Sequence, residues 1–134
     1  MAMIVLALLL TALLFGGTIL YAFGFAAFVF TALPAETAGP LIRRAFPHFY
    51  LFVLTVSAAA AVFAASGDRS SALVLGAIAL TTFVARQVIM PAVNAATDAG
   101  ASGRFKALHS LSVAITLAHI AGAGIVIVRL ATLI

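Results

Sequence analysis

Residues 1–35, MAMIVLALLLTALLFGGTILYAFGFAAFVFTALPA, contain no Asp, Glu, Lys or Arg. A helix that crosses a hydrocarbon core of ~30 Å needs about 20 mostly apolar residues, and this run is longer than that. Working outward from it, residues 45–67 also lack charge, 70–97 carry only Arg86, and 107–128 carry none. Three short charged patches therefore cut the chain into four apolar spans. With 66% hydrophobic and 7% charged residues, the chain has no composition from which to build a water-facing surface. The reading is an all-α fold, a polytopic membrane protein forming a four-helix transmembrane bundle in one domain, residues 1–134. The net charge of +4 is read as topology signals and contacts to anionic lipid headgroups, and nucleic acid is set aside as a partner. There is no cysteine, which excludes disulfides and thiolate metal sites.

The first span is expected over 2–33, ended by Pro34, and no basic residue precedes Arg43 to make it a cleaved secretory signal. Gly16, Gly17 and Gly24 are read as flat spots for a neighbouring helix, with bending as the alternative. Residues 35–46 are expected to lie in the interface as a short amphipathic connection. Pro47 is expected to open the second span, 47–65, because proline suits a first helical position. The third is expected over 71–93 with Pro91 in its last turn, and the fourth over 105–133. Along the fourth, Ser110, Ala114, Ala118 and Gly122 recur every four residues, a face suited to a membrane-protein partner or a second copy of the chain. Arg43, Arg44, Arg104 and Lys106 lie in two connections on one side, against Arg69 and Arg129 on the other. The positive-inside rule then puts those two connections in the cytoplasm and both termini outside, in a bacterial inner membrane.

His48 lies four residues beyond Arg44 and His109 three beyond Lys106, so each enters the bilayer by about 4–6 Å. Arg86 reaches the same level from the other side. Ionisable groups at such depth usually face protein interior or water and mark candidate sites; the alternative is that Arg86 snorkels to lipid phosphate and the two histidines sit in headgroup water. His109, Ser112, Thr116 and His119 fall on one stripe of the fourth span, running from the inner surface to mid-membrane. The candidate ligand-binding set is thus His48, Arg86, His109, Ser112, Thr116 and His119, with His119 as the floor of a cavity, a ligand to a cofactor, or a packing residue hydrogen-bonded to a neighbouring helix. All three acidic residues, Glu36, Asp68 and Asp98, fall in the expected connections, which argues against a carboxylate-based ion exchanger. No nucleophile with a base and an acid is visible within the spans, so an enzyme is disfavoured.

Several short motifs in this order resemble the transmembrane protein 205-like family of small four-helix membrane proteins. They are Leu33-Pro34 with Gly39, Phe46-Pro47, Pro91, and the series Phe105, Leu108, His109 and Ser112. Departures are Phe49 where the family places tyrosine, Thr116 where it places asparagine, and Arg86 ahead of the family's polar position. The resemblance implies a four-helix bundle, carries His109 and Ser112 over as site residues, and suggests export or trafficking through an association with platinum-drug resistance. A more distant architectural likeness, to copper-resistance proteins and a haem-linked oxidase, raises haem as a cofactor. Three functions are therefore expected in competition. The first is binding of a small amphiphile, lipid headgroup or anion at the His/Arg cluster, in a transport or accessory role. The second is a haem-binding redox protein with His48 and His109 as axial ligands. The third is a structural subunit of a larger membrane complex.

Overall fold

A computed structural model describes residues 1–134 and contains four long helices and no strand: α1 Ala2–Ala32, α2 Ala35–Ala64, α3 Arg69–Asp98 and α4 Ser102–Ala131. Each is long and apolar enough to cross a membrane, and the chain is an integral membrane protein. At 1.5 Å per residue these 30- and 31-residue helices run about 45 Å, so all four outreach a ~30 Å core. Successive helices pack side by side and α4 closes the ring against α1, an up-down-up-down bundle.

Two boundaries differ from those expected. Residues 35–46 are not a separate interfacial segment but the first turns of α2, which passes through Pro40 and Pro47 without a break. Nor does α3 end at Val93: it continues beyond Pro91 to Asp98. Proline removes one helical donor and crowds the preceding turn. In a bilayer, neighbouring helices and local widening of the turn accommodate that loss. Cross-helix contacts flank Pro47: Tyr21 of α1 donates its hydroxyl to the Ala45 carbonyl at 2.9 Å, and Arg86 of α3 donates Nε to the Pro47 carbonyl at 3.3 Å. Ahead of Pro91, α3 widens into π-helical turns over Ala85–Ile89. A second π-helical stretch, Leu20–Phe25, interrupts α1 and includes Gly24.

The turns are specified locally. Asp68 caps α3, accepting from the Ser70 amide and the Ser71 hydroxyl, and it takes two hydrogen bonds at 3.0 Å from Arg129 of α4. The Arg129 bond, then the Ser71 hydroxyl, hold its carboxyl down at about 2. Gly100, at φ +65°, ends α3 in a Schellman turn in which the Ala101 amide reaches back to the Ala96 carbonyl at 2.9 Å. Of the three α1 glycines, Gly17 is the packing position: a Cβ there would stand 2.6 Å from the Phe52 ring. Gly16 meets nothing within 4 Å.

The core is concentrated toward the end that carries the termini. Ala7, Thr11 and Leu14 of α1, Ser57 and Ala60 of α2, Leu75 and Ile78 of α3, and Val126 and Leu130 of α4 are buried there. Thr11, Ser57 and Thr82 return their hydroxyl protons to the carbonyl four residues earlier, so these buried hydroxyls carry no unpaired donor. At the level of the two π-helical stretches the bundle opens. Beyond it, the Ala26–Ala32 part of α1 packs chiefly against α2 and leaves the start of α4 uncovered.

Candidate functional site

Where the bundle opens, a cavity of about 500 Å³ lies among all four helices at the end that carries the α1–α2 and α3–α4 connections. Its apolar wall comes from Phe23, Ala26 and Phe30 of α1, Phe46 of α2, Ile89, Met90 and Val93 of α3, and Val113 of α4. The polar lining is Arg43 and Tyr50 of α2, Asn94 and Thr97 of α3, and His109, Ser112 and Thr116 of α4. Thr116 lies ten residues beyond Lys106, so the lining on α4 runs from the boundary to ~15 Å inside it. Pockets of this volume hold one drug-sized molecule, and a mostly apolar wall with a few placed polar groups is their usual composition.

The α4 stripe is organised from its own backbone. His109 stacks on Phe105 with ring centroids 5.5 Å apart and planes 7° from parallel, which fixes the imidazole at the cavity edge. Ser112 donates to the His109 carbonyl at 2.7 Å and Thr116 to the Ser112 carbonyl at 3.0 Å. On α3, Thr97 donates to the Val93 carbonyl at 3.0 Å. These three hydroxyls therefore present lone pairs to the cavity, since their protons are already placed. Arg43 meets Asp98 in a two-pronged pair, 2.7 and 2.9 Å, that ties α2 to the end of α3.

The sequence-derived set divides. His109, Ser112 and Thr116 come together in the lining. His48 and Arg86 do not join them. Arg86 lies in the α2–α3 seam, its Nε on the Pro47 carbonyl and its NH1 on Gln87 Oε1 at 3.3 Å, and His48 is exposed outside the bundle. The three equal depths expected for His48, Arg86 and His109 therefore do not amount to one shared space, because depth leaves the helix face undetermined. His119 is not the cavity floor. Its Nε2 stands 2.7 Å from Thr81 Oγ1 of α3, and Thr116 is the deepest α4 residue in the lining. Of the two histidines expected as a pair, His109 borders the cavity and His48 does not.

Sequence reasoning missed Asn94, Thr97, Tyr50 and Arg43. Asn94 and Thr97 were assigned to a connection because Pro91 was read as a helix end. Counting inward from Asp98 on a continuous helix puts Asn94 at the level of His109, about 6 Å from the boundary. The small-residue stripe on α4 splits as well: Ser110, Ala114 and Ala118 are exposed on the bundle exterior, while Gly122 sits inside it, where a Cβ would stand 3.3 Å from Val74.

Residues 9–102, which contain the cavity linings of α1, α2 and α3, match the model of a family described as a domain of unknown function, DUF4149. No curated protein and no solved structure matches the chain.

Proposed function

The chain belongs to the DUF4149 family, and we propose that this member binds one small membrane amphiphile in the open half of its bundle. The observation that carries the reading is the cavity itself: an apolar wall of α1 and α3 side chains facing a polar lining that runs from Arg43, Asn94 and His109 at the connection end inward to Thr116. Phe23 and Phe30 line the cavity and are both exposed, so this wall is open rather than sealed by the bundle. An amphiphile can then exchange sideways with the bilayer, tail among the phenylalanines and head beside Asn94 and His109. The connection end faces the cytoplasm in this reading, with Arg44, Arg104 and Lys106 at the headgroup level of a bacterial inner membrane. The finer likeness to the transmembrane protein 205-like family adds a setting in transport or trafficking, with the cavity as the loading site.

The test is native mass spectrometry of protein extracted in mild detergent, followed by identification of what is released. The parent is expected to carry a single bound amphiphile, and Val113→Trp, which points bulk into the cavity, to lose it. Equal occupancy in both, or none in the parent after gentle extraction, would reject the reading. A second reading, a structural subunit, is favoured by the exposed Ser110, Ala114 and Ala118 face of α4. It gains if the protein migrates with a stoichiometric partner and carries no ligand.

A further inference from the structure

We propose that the head group held in this cavity is uncharged and carries hydroxyl or carbonyl oxygens; the inference rests on the amphiphile reading above and names the class of ligand. Arg43 is the one Lys, Arg, Asp or Glu side chain in the lining, and both of its terminal nitrogens are engaged by Asp98, at 2.7 and 2.9 Å. The formal charge of that pair is zero. A phosphate or carboxylate head would have to displace Asp98 or sit beside it, placing two anions against one cation.

The uncharged groups in the lining are, by contrast, free to bind. None of the side-chain hydrogen bonds within the chain uses the Asn94 amide or the Tyr50 hydroxyl. The Thr97, Ser112 and Thr116 hydroxyls have spent their protons on their own helices and offer oxygen acceptors. The lining thus supplies uncharged donors from the Asn94 amide and the Tyr50 hydroxyl, and acceptors from the three hydroxyls. A hydroxyl-bearing head can use both kinds, because each of its hydroxyls donates once and accepts twice. An anion can use only the donors, and it leaves the acceptor oxygens facing its own charge.

The experiment compares two probes that share tail and glycerol, monooleoylglycerol and its phosphate ester lysophosphatidate, binding to the full chain in phosphatidylcholine nanodiscs. Monooleoylglycerol is expected to bind at least about tenfold tighter, and Asn94→Leu to remove about that factor. Asp98→Asn frees the Arg43 guanidinium, and is expected to raise lysophosphatidate affinity by about tenfold with little change for monooleoylglycerol. Parent protein that binds lysophosphatidate as well as monooleoylglycerol, or an Asp98→Asn variant whose preference is unchanged, would overturn the head-group assignment while leaving the cavity reading standing. If neither probe saturates the parent, or Val113→Trp binds both as the parent does, the cavity reading fails and the assignment falls with it.

Discussion

Leu75→Ala and Val113→Ala should differ sharply in cost, because one residue lies in the packed half of the bundle and the other borders the open half. Leu75 is 0% exposed, whereas Val113 lines the cavity and is only partly buried. In a water-soluble core, Leu→Ala costs about 2–5 kcal/mol, made of a transfer part and a void part of ~24 cal/mol per Å³. Inside a bilayer the transfer part largely drops out, since the side chain is exchanged with lipid tails that are as apolar as leucine. A residual void of roughly 50–100 Å³ then gives a cost of about 1–2.5 kcal/mol for Leu75→Ala. Trimming Val113 enlarges a space that already exists and removes few contacts, and valine to alanine gains a few tenths of a kcal/mol in helix propensity, so its effect should stay within about 0.5 kcal/mol of zero. Reversible unfolding in mixed micelles, titrated with dodecyl sulfate and followed by helical circular dichroism, measures both. Equal costs at the two sites would show that the cavity half is as tightly packed as the other, and would remove the basis of the proposed site.

His109→Ala should change bundle stability by less than about 0.5 kcal/mol yet lower the amount of co-purifying amphiphile, read by native mass spectrometry beside the same unfolding titration. His119→Ala should do the reverse, losing about 0.5–1.5 kcal/mol for the Thr81 contact while occupancy is kept; the cost is limited because Thr81 still donates to the Ala77 carbonyl at 2.7 Å. For Asp68, held down at about 2 in the fold, protonation below its ordinary value near 3.8 favours the unfolded chain. Thermal stability should therefore be level above about pH 5 and fall as pH drops through 4 toward 2, and Asp68→Asn should flatten that fall. Reporter fusions at the C-terminus should be active outside the cytoplasm, following the basic bias of the α1–α2 and α3–α4 ends; cytoplasmic activity would reverse the assigned orientation.

The bundle was legible because charge spacing is a direct statement about solvent: the charges gather in short patches where the chain meets water, and four long apolar intervals, with Arg86 the one charge inside them, read as helices in lipid. Part of the site was legible for the same reason, since His109, Ser112 and Thr116 share one face of one helix, and a single helical period places them together. His48 and Arg86 required something the period does not hold, the rotation of α2 and α3 about their axes, which is set by contacts such as Gly17 against Phe52. Arg43, Asn94 and Thr97 were lost to a different cause. Reading Pro47 as a start and Pro91 as an end borrows rules from helices in water, where the carbonyls released at a terminus are taken up by solvent. In or near hydrocarbon the comparison changes: ending a helix strands about four carbonyls, while carrying it through a proline strands one. The second course is the less costly, and α2 and α3 both take it, α3 with π-helical turns just ahead of its proline. The same prolines and widened turns fall where the bundle parts, so the sequence features that were read as boundaries of the helices are the ones that accompany the opening of the cavity between them.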